Sequence, residues 1–229
     1  MMPYMFWDPT MILIIPALIL TMVAQSRVQS AYQKYSQIRN MRGLTGAEAA
    51  MHILRRNGLS DVKVEMTHGT LSDHYDPRSR VVRLSPGIFK GNSIASIAVA
   101  SHECGHALQH HMGYVPLSFR SAFFPVVNIS SKAAFPLLFL GLILRSAGLM
   151  NVGILLFSAV VVFHLVTLPV EFNASSRAMV QIEENGFLSM EEVSGAKKVL
   201  NAAAMTYVAS AAMAALQLLR FIILRNSRD

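Results

Sequence analysis

Residues 122–144 read AFFPVVNISSKAAFPLLFLGLIL, an apolar stretch whose single charged residue is Lys132. A helix of about 20 apolar residues is long enough to cross the hydrocarbon core of a bilayer. A second apolar stretch, residues 152–170, follows after a turn around residues 145–148. Two such stretches joined by a short turn predict a transmembrane helical hairpin in the centre of the chain.

Two more apolar stretches lie on either side of this hairpin, at residues 11–24 and 202–224. The first reaches spanning length with the residues before it, where Tyr4 and Trp7 suit a membrane interface. The last is rich in small residues, which favour packing between membrane helices; the alternative is a buried helix of a soluble protein. With 53% hydrophobic and 14% charged residues, the composition lies outside the soluble range. We predict a mainly α-helical integral membrane protein with about four transmembrane helices.

The distribution of basic residues predicts the orientation. Residues 26–118 contain eleven of the twenty lysines and arginines, whereas residues 1–10 contain none. Because basic loops stay on the cytoplasmic side, we expect residues 26–118, the polar region of the chain, to be cytoplasmic. With four spans both termini would lie outside, and Arg220, Arg225 and Arg228 oppose that placement. The net charge of +7 favours anionic lipid headgroups, and we expect no nucleic-acid partner.

The polar region has the order of a small α+β unit. Thr45 and Glu48 form a capping-box pattern that begins a helix extending to about Asn57. Short strands are predicted at residues 62–66 and 80–84, separated by a turn-rich segment. We expect the second strand to be a sheet edge that could align an extended substrate chain.

The helix that follows carries a metal-binding pattern. Its predicted cap includes Ser93, and it runs through His102, Glu103 and His106 to an end before Gly113. Residues four apart lie on one face of a helix, so both imidazoles can bind one Zn²⁺ while Glu103 lies beside the open coordination position. Glu103 is then the candidate general base for attack by water. Helix, small sheet and HExxH helix give the order of a minimal zincin.

A catalytic zinc site needs a third protein ligand. Glu171 is the favoured candidate because it ends an apolar stretch, where a carboxylate is rare unless it binds a partner. The alternative is His110, although a straight helix carries it about 6 Å further along the axis than His106. Gly105, between the two histidines, lowers helix propensity by about 1 kcal/mol relative to alanine, which favours a close approach of another backbone or of substrate.

Four segments resemble the signatures of a known family, the YugP-like neutral zinc metallopeptidases of bacterial membranes. They occur in the same order, as LTG (residues 44–46), GTLSDHYDP (69–77), VASHECGHALQ (99–109) and TLPVEFNAS (167–175). The resemblance implies an integral membrane zinc peptidase of the bacterial inner or plasma membrane. It also implies that His102, His106 and Glu171 are the ligands and that Glu103 is the catalytic carboxylate.

A more distant resemblance concerns the support of the ligands. In membrane proteases of the CAAX prenyl protease class, the ligand glutamate is followed four residues later by an aspartate that supports a zinc-bound histidine. The corresponding residue of this chain is Ser175. A hydroxyl would then replace the carboxylate, or another residue would provide the support.

Other polar residues are candidates for substrate binding or support. Asp73, His74 and Tyr75 belong to the turn-rich segment, which is expected to lie at the edge of the active-site cleft. Tyr75 is a candidate donor of a hydrogen bond to the oxyanion. A surface turn would have a similar composition. His164 lies two helical turns before the candidate glutamate, and Tyr207 is a second candidate for oxyanion stabilisation. Structural roles within the membrane are the alternative for both.

These observations predict a membrane zinc endopeptidase with one Zn²⁺ per chain. The ligands lie close in sequence to the apolar stretches, so we expect peptide or protein substrates that are unfolded or membrane-associated. The alternatives are a zinc amidohydrolase acting on non-peptide substrates, a non-catalytic membrane scaffold that retains the motif, and a soluble protease domain. The predicted segments are a transmembrane anchor (1–25), a cytoplasmic catalytic region (26–118), a transmembrane hairpin (119–170), a connector with the third ligand (171–201) and a C-terminal transmembrane helix (202–224).

Overall fold

The computed structural model describes residues 9–227, and the predicted interface positions Tyr4 and Trp7 lie outside the described residues. The chain is mainly helical. Its elements are a short 3-10 helix (Pro9–Ile14), α1 (Ile15–Ser36), α2 (Gly46–Arg56), β1 (Lys63–Met66), β2 (His74–Asp76), β3 (Val81–Leu84), α3 (Pro86–Phe89), α4 (Ile94–His111), α5 (Val115–Ile143), α6 (Ala147–Glu184) and α7 (Met190–Asn226).

Within residues 9–227, four helical segments are long and apolar enough to cross a membrane, namely Pro9–Ser36, Val115–Ile143, Ala147–Glu184 and Met190–Asn226. Together with the small sheet, they confirm the predicted fold class. Each helix is longer than the apolar stretch that predicted it. For α6 the reason is that no glycine or proline interrupts the sequence between Glu171 and Gly186, whose φ of +58° ends the helix.

The chain divides into two compact units. The first comprises the described residues of Met1–Ala24, Phe119–Leu168 and Thr206–Asp229, and the second comprises Gln25–Ser118 and Pro169–Met205. The first unit has an aromatic core, in which the rings of Phe135, Phe157 and Phe221 meet edge to face with centroids 5.3 to 5.9 Å apart. This geometry suits the ring quadrupoles and adds to apolar burial.

The second unit has its own core, built around α2, α4 and β3. Ile53 and Leu54 of α2, Val82 of β3 and Ile97 of α4 are fully or almost fully buried. Ile182 from the end of α6 belongs to the same core. The amphipathic pattern of α2 therefore places its apolar side inside this unit.

The sheet of the second unit has the strand order β1-β3-β2. Strand β3 is central, because it pairs in parallel with β1 and antiparallel with β2. The expectation that residues 80–84 form a sheet edge is therefore wrong, and the edges are β1 and β2. Val81, Val82 and Leu84 are buried, which fits a central strand.

The turn-rich segment contains a strand that the sequence did not predict. His74–Asp76 pairs with β3, and Tyr75 lies opposite Val82. Local composition indicated a turn, but pairing with β3 and an ion pair of 3.1 Å between the Asp76 carboxylate and the Arg83 guanidinium hold the segment extended. The turn itself follows, where Asp76 accepts hydrogen bonds from Arg78 N and Ser79 Oγ.

The predicted helix ends are confirmed. Thr45 caps α2, and its side chain and that of Glu48 form the reciprocal bonds of a capping box. The side chain of Ser93 accepts a hydrogen bond from the backbone N–H of Ser96 at the start of α4. After α4, Gly113 adopts a left-handed φ of +62°, which favours glycine.

Helices α4 and α6 approach each other closely at Gly105. A Cβ atom at this position would lie 2.5 Å from the carbonyl oxygen of Ala174 in α6. Ala174 is fully buried. The backbone of another helix therefore occupies the space that glycine leaves, which is the first of the two alternatives raised by the sequence.

We expect Gly105→Ala to lower the unfolding temperature of the detergent-solubilised protein. The added methyl group meets a backbone oxygen, and overpacking of this kind costs typically 1–3 kcal/mol, against a gain in helix propensity of about 1 kcal/mol. Gly87→Ala in α3 is the control, because its Cβ would meet only the Tyr32 hydroxyl at 3.8 Å. Equal unfolding temperatures for the two variants, measured by thermal denaturation, would contradict the close contact.

Candidate metal centre

Three potential metal ligands come together between α4 and α6 in the second unit. The Glu171 Oε2 atom lies 3.3 Å from His102 Nε2 and 3.6 Å from His106 Nε2. One nitrogen or oxygen atom from each of the three residues lies within 4.8 Å of the others. Three ligands at about 2.0–2.1 Å from a tetrahedral Zn²⁺ are separated by roughly 3.3–3.4 Å. The observed spacing therefore fits one zinc ion.

The helical repeat explains the arrangement of the two histidines. His102 and His106 are four residues apart on α4, and their rings meet edge to face with centroids 4.8 Å apart. Both side chains are largely buried, and Glu171 is only 2% exposed. A buried carboxylate facing two imidazole nitrogens is typical of a cation site, since burial of an uncompensated charge is costly.

Each histidine is supported through its second ring nitrogen. His102 Nδ1 lies 3.2 Å from the Ser175 hydroxyl, and His106 Nδ1 lies 3.0 Å from Gln109 Oε1. These contacts leave the Nε2 atoms directed at Glu171. Hydrogen bonds of this kind orient the histidines of zinc sites. The Ser175 hydroxyl, four residues after Glu171, is therefore the group that contacts His102 Nδ1.

Glu103 lies between the two histidines on α4 and is buried, with 8% of its surface exposed. Burial lowers the pKa of His106, but the hydrogen bond to Glu171 and the charges of Glu103 and Glu171 outweigh this effect and raise it. Glu103 and His106 are three residues apart on α4, so their side chains lie on the same side of the helix. Binding of a metal at His106 would displace the proton that these carboxylates favour.

His110, the alternative third ligand, has a different partner. Its Nδ1 atom lies 2.9 Å from the Tyr75 hydroxyl on β2. This contact joins the end of α4 to the sheet. The structure thus brings Glu171, and not His110, together with His102 and His106.

The other predicted residues of the turn-rich segment have local contacts. The Asp73 carboxylate accepts hydrogen bonds from the backbone N–H and hydroxyl of Ser85, at 2.7 and 3.1 Å. Burial raises the pKa of Asp73, although these hydrogen bonds oppose the shift. His74 is exposed, and its Nδ1 bonds to the Ser72 carbonyl. Tyr75 contacts α4 through His110, so its predicted role as an oxyanion donor remains a prediction.

His164 and Tyr207 belong to the first unit, whereas the three candidate ligands belong to the second. His164 is half-buried in α6 and Tyr207 is half-buried in α7. Their suggested roles near the metal remain predictions.

Gln109 was missed by the sequence reasoning. It is fully buried and contacts both His106 and the backbone of α6. Its position three residues after His106, on the same side of α4, is the signal that would have identified it.

An HExxH helix joined by a glutamate from a second helix is typical of zinc metallopeptidases, and four helices in the described part of this chain are long and apolar enough to cross a membrane. The profile of the family described as "putative neutral zinc metallopeptidase" matches residues 10–226. The chain belongs to this family. It is 55% identical over 219 residues to the "Putative membrane protease YugP" of Bacillus subtilis (strain 168), covering 95% of this chain and 97% of that relative. No solved structure matches the chain significantly.

We expect Glu171→Ala to weaken zinc binding by orders of magnitude, because it removes one of three ligands. His110→Ala should leave the affinity nearly unchanged, since His110 bonds to Tyr75. Competition with a chromogenic zinc chelator measures both dissociation constants. The reverse ranking of the two variants would place the third ligand on α4.

Proposed function

We propose that this chain is a membrane-embedded, zinc-dependent endopeptidase. One Zn²⁺ would bind His102, His106 and Glu171, and Glu103 would act as the general base. The observation that carries the proposal is the convergence of buried Glu171 with the two histidines of the HExxH helix. Membership of a zinc metallopeptidase family supports the same chemistry.

Each residue of the candidate site has a separate role in the proposed reaction. Zinc bound at this site would polarise the scissile carbonyl and lower the pKa of water. Glu103 accepts the proton of the attacking water and delivers it to the leaving nitrogen as the carbon–nitrogen bond breaks. Ser175 and Gln109 keep the imidazoles in place, so the ligand atoms need little rearrangement during the reaction.

Strand β2 supports a preference for extended substrates. It is an edge of the sheet and lies next to α4, to which Tyr75 is joined through His110. A substrate chain that adds to this edge would be recognised mainly through its backbone. We therefore propose that the substrates are unfolded or membrane-associated peptide chains and that the tolerance for their sequence is broad.

The four apolar helices and the name of the Bacillus subtilis relative, a membrane protease, support a membrane location. We propose that the protein lies in the bacterial cell membrane with its second unit in the cytoplasm. The eleven basic residues of positions 26–118 belong to that unit and support this orientation.

Glu103→Gln should lower turnover by at least about 10²-fold, because the amide cannot accept the proton of water. The variant should keep wild-type zinc content, since Glu103 is not among the three clustered ligands. Hydrolysis of an unfolded casein-like chain and metal analysis of the purified protein measure the two effects. His102→Ala is the comparison and should lose zinc as well as activity. Full proteolysis by Glu103→Gln would reject the assigned base.

A reporter inserted near Asn57, at the end of α2, should be active on the cytoplasmic side of the membrane. The expectation rests on the basic residues around this position. The side of the membrane is measured with two reporters, one active only inside the cell and one active only outside it. An outside signal at Asn57 would invert the proposed orientation.

A further inference from the structure

Gln109 is a fully buried polar residue that links α4 to α6. Its Oε1 atom lies 3.0 Å from His106 Nδ1. Its Nε2 atom lies 2.8 Å from the carbonyl oxygen of Val170 and 3.0 Å from Asn173 Oδ1. A buried amide with three partners is well satisfied, so its orientation is set by its surroundings.

The Val170 carbonyl determines which way the amide faces. A carbonyl oxygen only accepts hydrogen bonds, so its partner must be the NH₂ group of Gln109. The Oε1 atom then faces His106, and because Oε1 also only accepts, His106 Nδ1 must donate a proton to it. A neutral imidazole has one N–H, which leaves the Nε2 atom of His106 with a free lone pair. This is the atom that faces Glu171.

The hydrogen bond from Gln109 Nε2 to the Val170 carbonyl also affects Glu171, the third candidate ligand. Val170 precedes Glu171 in α6, and its carbonyl is fixed to α4 by Gln109. Asn173 continues the contact one turn later, where its Oδ1 accepts from Gln109 Nε2 and from Arg177 Nε at 2.7 Å. The segment of α6 that carries Glu171 is thereby held in one register against α4.

We propose that Gln109 is a positioning residue that prepares two ligands of the zinc site at once. Through its carbonyl group it selects the tautomer of His106 that binds metal through Nε2. Through its NH₂ group it fixes the backbone beside Glu171. The proposal rests on the proposed zinc-dependent function, and it assigns Gln109 no contact with substrate.

Gln109→Met tests the proposal because methionine keeps most of the side-chain volume and removes all three hydrogen bonds. The zinc dissociation constant of the full-length protein in detergent should rise about 10- to 100-fold, as it does when supporting contacts of zinc ligands are lost. Unfolding temperatures are measured with chelator and at a fixed free zinc concentration. The stabilisation by zinc should be smaller than in the wild type.

A purely structural role would give a different result. It would lower the unfolding temperature with and without zinc and leave the zinc dissociation constant within about twofold of the wild-type value. That outcome would overturn the positioning role while the zinc site itself stands. A wild-type protein that binds no zinc would instead reject the proposed function, and this inference with it.

A measurement on the wild type covers the case in which Gln109→Met does not fold. In zinc-loaded protein labelled with ¹⁵N-histidine, the His106 ring should show a protonated Nδ1 and a metal-bound Nε2 by NMR. The ring signal is assigned by through-bond correlation to the His106 backbone, because His106→Ala would lose the metal and shift the His102 signal as well. Metal bound to Nδ1, or an Nδ1 without a proton, would overturn the proposal.

Discussion

The contact between α4 and α6 is the constraint on which the candidate metal centre depends. The two histidines follow from the repeat of one helix, but Glu171 reaches them only because the helices approach closely at Gly105 and Ala174. Gln109 then bonds to the backbone of α6 one residue before Glu171. Steric fit sets the distance between the helices, and hydrogen bonding sets their register.

The burial and the charge of the side chains at this contact favour the binding of a metal ion. Glu171 is almost completely buried, and its carboxylate faces the Nε2 atoms of two histidines whose Nδ1 atoms are held by Ser175 and Gln109. Such a set loses hydration on folding, and a divalent cation bound there would compensate the loss. The spacing of the ligand atoms at this contact also fits one zinc ion.

Much of the fold is predictable because its signals are local. The capping box of α2, the ends of α4 and the four apolar helices all follow from short sequence patterns. Strand β2 was missed and β3 was expected at an edge, because strand order depends on pairing between distant segments. The contact of Gln109 with His106 has a local signal in their spacing of three residues, but its bond to Val170, 61 positions away, has none. The HExxH pattern locates two ligands, whereas the hydrogen bond from Gln109 to the α6 backbone appears only when α6 is packed against α4.

Zinc K-edge X-ray absorption of the purified, zinc-loaded protein tests the central claim most directly. The account predicts one zinc per chain, with two imidazole nitrogens and one carboxylate oxygen at about 2.0–2.2 Å and a further light-atom ligand. Sulfur ligation, a third imidazole in place of the carboxylate, or the absence of stoichiometric zinc would contradict it.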